Sequence, residues 1–163
     1  MGNAPLWRTL FLMAALAAIS CFCNPSGVRA DDTIWEIGPQ GGWSFADGDE
    51  SFTQADLLAA YRLPWQWQLG DSLNLGTRAT ATAGVLDGGG ETGLLGALGL
   101  ELVFDPGESP FEIRIGGAGT LMSRYRYGDE DFGGAFQFIT YIGLDYQLLE
   151  RLNAIARIQH MSN

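Results

Sequence analysis

The stretch that most restricts this chain is Ala135–Leu149, AFQFITYIGLDYQLL. Phe136, Phe138, Thr140, Ile142, Leu144, Tyr146 and Leu148 alternate with Gln137, Ile139, Tyr141, Gly143, Asp145 and Gln147. Successive side chains of a strand point to opposite faces, so one face here is apolar and free of charge while the other is mixed. A helix would scatter the same residues around its axis.

The alternation recurs upstream. Ala55, Leu57, Ala59, Tyr61, Leu63, Trp65 and Trp67 oppose Gln54, Asp56, Arg62, Gln66 and Gln68. Leu73, Leu75, Ala79, Ala81, Ala83 and Val85 oppose Asn74, Arg78, Thr80 and Thr82. Leu94, Leu98, Leu100, Leu102 and Phe104 oppose Ala97, Gly99 and Glu101. Phe111, Ile113, Ile115, Gly117, Gly119, Leu121, Tyr125 and Tyr127 oppose Glu112, Arg114, Gly116, Thr120, Arg124 and Arg126. A more broken strand lies in TIWEIGPQGGWSF, and a final one in RLNAIARIQHMS, giving seven in all. Glycine- and acid-rich stretches such as ADGDE, DGGGE and YGDEDFGG separate them as turns.

The apolar faces are long and uncharged, and they end in aromatics. The other faces are polar and small. A soluble sandwich or lipocalin-like domain, the alternative, needs its tightly packed face inside. This pattern is the reverse and fits a membrane-spanning barrel with a lipid-facing band, aromatic girdles and a polar interior. A charge on the lipid face at the bilayer midplane costs roughly 2–4 kcal/mol, which accounts for its absence there. The expected fold is all-β, an eight-stranded antiparallel outer-membrane β-barrel. Seven strands are present, and single-chain bacterial barrels hold an even number, so the last strand is expected to be missing and the chain truncated at its C-terminus.

Residues 1–30 read as a secretory signal peptide. MGNAPLWR carries one arginine, TLFLMAALAAISCFC is uncharged and short for a membrane span, and Val28 and Ala30 suit cleavage before Asp31. Residues 31–163 then form the barrel domain. Both cysteines, Cys21 and Cys23, precede it, which leaves the barrel no disulfide and no cysteine zinc site. From residue 31 on, 19 acids face seven arginines, a formal charge of −12. That balance argues against a nucleic-acid partner, which calls for a basic face. Asp47, Asp49, Glu50, Asp87, Glu91, Asp129, Glu130 and Asp131 cluster in the outer loops and read as solvated loop charge.

The last strand ends in QHMSN. Its alternation puts Leu152, Ala154, Ala156, Ile158, His160 and Ser162 on the lipid side, with Asn153, Arg157 and Gln159 toward the lumen. With both ends of a complete barrel in the periplasm, the seventh strand finishes in the outer leaflet. A histidine and a serine facing lipid carry a desolvation cost that structure alone does not explain. A serine becomes a nucleophile when an adjacent base takes its proton, and histidine serves as that base. The substrate would be an ester in the membrane. Polar residues at a membrane rim are the plainer alternative.

Over Pro110–Asn163 the chain resembles the PagL-type lipid A 3-O-deacylases, also called acyloxyacyl hydrolases. ARIQHMSN matches that family's motif at Arg157, Gln159, His160, Ser162 and Asn163. The resemblance implies an outer-membrane barrel acting on lipid A of lipopolysaccharide. It would release the 3-O-linked acyl chain as a 3-hydroxy fatty acid, using a serine–histidine–glutamate triad with no metal and no cofactor. It implies Ser162 as nucleophile, His160 as general base and Asn163 as a motif residue near the site. The family's glutamate would lie beyond Asn163, on the last strand. Asp145 faces the lumen and Glu150 the periplasm, so neither replaces it. The alternative is a non-enzymatic small barrel of structural or adhesion type, or an inactive truncated homologue.

Overall fold

The computed structural model describes residues 11–21, 34–44, 50–107, 109–149 and 152–162. Ten strands are described: β1 Phe11–Cys21, β2 Trp35–Ser44, β3 Phe52–Gln68, β4 Asn74–Gly88, β5 Glu91–Asp105, β6 Phe111–Met122, β7 Arg126–Tyr127, β8 Glu130–Asp131, β9 Phe136–Leu149 and β10 Leu152–Ser162. Eight of them close a ring in the order β1-β10-β9-β6-β5-β4-β3-β2, and every neighbour is antiparallel. β7 and β8 form a separate small hairpin between β6 and β9.

Seven of the ring strands are those marked by the alternation. The eighth position is taken by β1, within the segment read as a leader. This differs from the expectation that the position stands empty in this chain. In this ring β1 lies against the edges of β10 and, over a shorter stretch, β2, edges whose unpaired N–H and C=O groups would each cost several kcal/mol in lipid. It pairs with β10 from Phe11↔Met161 to Cys21↔Leu152, with a register shift between Ala15 and Ala18. With β2 it pairs only over Met13↔Ser44 to Leu16↔Gly41.

The band of exposed apolar residues follows the expected parity. Leu94, Leu98, Leu100, Ile113, Ile115, Phe138, Ile142 and Leu144 are all exposed, Leu98 to 73%. The β4–β5 connection is two residues, Gly89 and Gly90, with φ of 57° and 76°. A tight turn with positive φ at both positions twists with its strands, and glycine adopts it without steric cost. β3 carries an irregularity: its pairing with β4 jumps from Arg62↔Arg78 to Gln66↔Gly76. The Thr77 hydroxyl donates to the Trp65 carbonyl at 2.9 Å within that bulge.

The middle of the lumen is ionic. Arg114 and Asp145 are each 1% exposed and are paired with one another. The Arg114 guanidinium also reaches Glu36 at 2.8 Å, Glu101 at 3.5 Å and Glu112 at 3.6 Å. Arg78 meets Glu36 at 2.8 Å and Glu112 at 3.3 Å. The Tyr141 hydroxyl donates to Glu101 at 3.0 Å, and Asn153 donates to Asp145 at 3.2 Å. Buried charges persist where they are paired and hydrogen-bonded, and these residues come from β2, β4, β5, β6, β9 and β10. Gly116 leaves room for this arrangement, because a Cβ there would stand 2.3 Å from the Tyr141 ring. The Arg157 guanidinium covers the same ring at 5.0 Å.

Toward the β7–β8 end the lumen turns apolar. Phe52, Leu86, Leu95, Met122, Tyr127, Phe132, Ile139, Tyr141 and Met161 form one buried cluster. The rings of Phe52, Tyr127 and Phe132 meet edge to face at 5.5–5.9 Å. Here two expectations change. Tyr127 was placed on the lipid face, yet it is 0% exposed at the centre of this cap. Arg124 and Arg126 were placed inward, yet both are exposed and pair with Glu91 and Asp131 at 2.7 and 2.8 Å. The cause is shared: β6 ends at Met122, so strand parity no longer applies to the residues after it.

Candidate active site on the outer face of the last strand

β10 alternates cleanly at its end. Gln159 and Met161 are buried, while Ile158 is exposed and His160 and Ser162 are half-buried on the same side as Ile158. Met161, 1% exposed, sits in the apolar cap and fixes this parity. A slip of one residue would bury both polar side chains and expose Met161.

The register defines what flanks the pair. On β9, His160 faces Thr140 and Ser162 faces Phe138. On the other side, His160 faces position 12 of β1. Phe136 and Phe138, in edge-to-face contact at 4.9 Å, are exposed beside Ser162. His160 and Ser162 are thus second neighbours along one strand, the spacing that brings two side chains to one face. Chemically the pair combines a hydroxyl with a titratable imidazole in an apolar setting, the two elements of an activated serine nucleophile.

An orienting acid is not found on this face among the described residues. The outward positions of β9 and β10 carry Phe136, Phe138, Thr140, Ile142, Leu144, Tyr146, Leu148, Ala154, Ala156 and Ile158 besides the pair. Asp145 lies in the lumen with Arg114, as the alternation required. Glu150 and Asn163 lie outside the described residues, as do Asp47 and Asp49. Among the described residues no group of three or more His, Cys, Asp or Glu side chains is arranged to hold a metal ion.

The sequence reading missed Met161, Thr140 and Phe138 as parts of the site. Met161 was readable as an apolar residue at a luminal position. Thr140 and Phe138 needed the register between two strands.

A closed antiparallel ring with an apolar exterior and an ionic interior is the architecture of an outer-membrane β-barrel. No helix among the described residues is long and apolar enough to cross a membrane, and barrels of this class cross with strands. The family model for lipid A 3-O-deacylase (PagL) matches residues 55–163, and the chain belongs to that family. No curated protein and no solved structure matches it.

Proposed function

We propose that this protein is an outer-membrane esterase that removes the 3-O-linked acyl chain from lipid A, with Ser162 as nucleophile and His160 as general base. The observation that carries the reading is the shared outward face of His160 and Ser162 at the end of β10, in a member of the lipid A 3-O-deacylase family. The ester substrate lies in the membrane, and only the outer wall of the barrel meets it.

The chemistry follows from the pair. The imidazole of His160 takes the Ser162 hydroxyl proton as Oγ attacks the ester carbonyl. The tetrahedral intermediate collapses, and His160 returns the proton to the departing sugar 3-oxygen. Water, deprotonated by the same imidazole, then attacks the acyl-serine and releases the 3-hydroxy fatty acid. The imidazole needs a third group to fix its orientation. Asn163, the next motif residue, supports the site.

The 1–30 segment acts as a Sec leader cut before Asp31, and residues 31–163 supply seven strands of the wall in the outer membrane. N-terminal sequencing of the membrane-inserted protein checks this. A start at Asp31 supports it, whereas retention of Phe11–Cys21 makes that segment a permanent wall strand.

The activity is tested by mass spectrometry of lipid A from cells expressing the protein. Loss of one 3-hydroxyacyl chain is expected, and Ser162→Ala and His160→Ala are each expected to abolish it. Unchanged lipid A alongside a well-expressed, folded barrel would sink the proposal and favour a non-enzymatic structural barrel.

A further inference from the structure

Among the described residues the outer wall contains a groove that the deacylase reading does not use. It crosses β3, β4, β5 and β6, encloses about 280 Å³, and is lined mainly by Leu63, Trp65, Leu100, Leu102, Ile115 and Gly117. Its position is toward the Leu69–Leu73 turn, away from the apolar cap. β5 is separated from β10 by β6 and β9, so the groove is apart from His160 and Ser162.

Two features of the chain create it. The first is the β3 bulge, where Leu63–Trp65 leave the ladder and Trp65 stands out as one wall. The single hydroxyl in the lining, on Thr77, is already bonded to the Trp65 carbonyl, so it leaves the groove apolar.

The second is Gly117. Glycine inside a strand weakens it, and it is usually explained by a close approach from some neighbour. For Gly84, Gly99 and Gly116 the explanation is internal, since a Cβ would stand 2.2–2.4 Å from other protein atoms. For Gly117 the nearest atom to a Cβ is the Ile139 carbonyl oxygen at 3.6 Å, an ordinary contact. Among the described residues nothing requires the missing side chain. The space it leaves opens outward into the apolar band.

We propose that this groove is a second lipid site that holds one acyl chain of a bilayer phospholipid, distinct from the lipid A undergoing hydrolysis. The proposal rests on the membrane reading above. The groove is continuous with the exposed apolar band formed by Leu98, Leu100, Leu102 and Ile115, and the neighbours of that band are hydrocarbon chains. A void of this size against lipid forfeits the dispersion contacts of its lining, and a chain that lies in it restores them. Lipid tails are as apolar as the lining, so the site selects by shape and confinement. In the orientation given to the barrel, the groove faces the inner leaflet, which assigns it to phospholipid.

The test uses the full protein in lipid nanodiscs containing phosphatidylethanolamine with a diazirine in its acyl chain. After photolysis, labelled peptides are mapped by mass spectrometry. Peptides carrying Leu100, Leu102 and Ile115 are expected to be labelled about threefold or more above those carrying the equally exposed Leu144 and Leu148, which report ordinary contact with lipid. Gly117→Leu, which fills the groove from its floor, is expected to bring the excess down to that background. Thr77→Leu is expected to do the same and serves if Gly117→Leu does not fold. Both variants are expected to keep deacylase activity, and Ser162→Ala is expected to keep the excess label. Even labelling around the band overturns the proposal, as does an excess that survives a folded groove-filling variant. Labelling by a diazirine lipid A in place of the phospholipid overturns the assignment of the occupant. Absence of label anywhere on the barrel overturns the membrane reading itself.

Discussion

Met161→Ala tests whether the cap holds the candidate site in place. Met161 lies between His160 and Ser162, is 1% exposed, and packs with Phe52, Leu86, Leu95, Met122, Tyr127, Phe132 and Ile139. Truncation removes three heavy atoms from a filled cluster. The loss for a buried methionine is about 2–5 kcal/mol, combining lost transfer energy with the cavity left behind. Met161→Leu nearly conserves volume and is expected to cost less than about 1.5 kcal/mol. Ile158→Ala is the control on the same strand: Ile158 is exposed on the lipid side and contributes nothing to the cap. The assays are urea unfolding from vesicles, followed by tryptophan fluorescence, and lipid A turnover at fixed protein. Met161→Ala is expected to lower the unfolding midpoint well below that of Ile158→Ala. Turnover is also expected to fall, by roughly a hundredfold if the strand end shifts by about 1 Å, although both proposed catalytic side chains remain. Equal midpoints and equal turnover for Met161→Ala and Ile158→Ala would refute the claim that luminal packing fixes the pair outward.

Three further outcomes follow from the lumen and its cap. Arg114→Met leaves Asp145, Glu36 and Glu101 without their shared cation, and about 3–5 kcal/mol of stability should disappear in the same urea assay. Gly116→Ala places a methyl against the Tyr141 ring, and the folded band on an unheated gel is expected to be lost or weakened, whereas Gly117→Ala is expected to fold normally. Asp131 accepts a hydrogen bond from the Gly133 amide, which with Arg126 holds its carboxyl below the ordinary value of 3.8. Because the folded pKa is lowered, this contribution to the β7–β8 hairpin is present at neutral pH and is lost as pH falls through that lowered value. An NMR titration of Asp131 with a midpoint above 3.8 would contradict it.

The wall was readable because lipid permits only apolar residues on one face, and that constraint acts residue by residue along each strand. Ile158, His160 and Ser162 inherit their direction from it. The cap was not read, although its mark was present: Val85-Leu86, Leu94-Leu95 and Leu121-Met122 are apolar on both faces near strand ends. A barrel filled with water there would not carry them. Tyr127 and Arg126 were misdirected because parity was carried past Met122, where the ladder stops and the loop folds back over the lumen. The partners of Arg114 were out of reach for another reason. They come from four different strands, and only the closed ring brings Glu36 within reach of β6.

The register at His160 has a consequence for when such an enzyme acquires activity. One flank of His160 is Thr140, which offers no carboxylate, and the other flank belongs to whichever strand closes the ring. On the proposed mechanism, both flanks of His160 have to be in place before it and Ser162 meet an ester in a fixed geometry. An unclosed barrel, in transit or half inserted, is then inert toward any ester it meets. On that proposal the final step of assembly, which seals the wall, would also arm it, and hydrolysis would be confined to molecules already seated in their membrane.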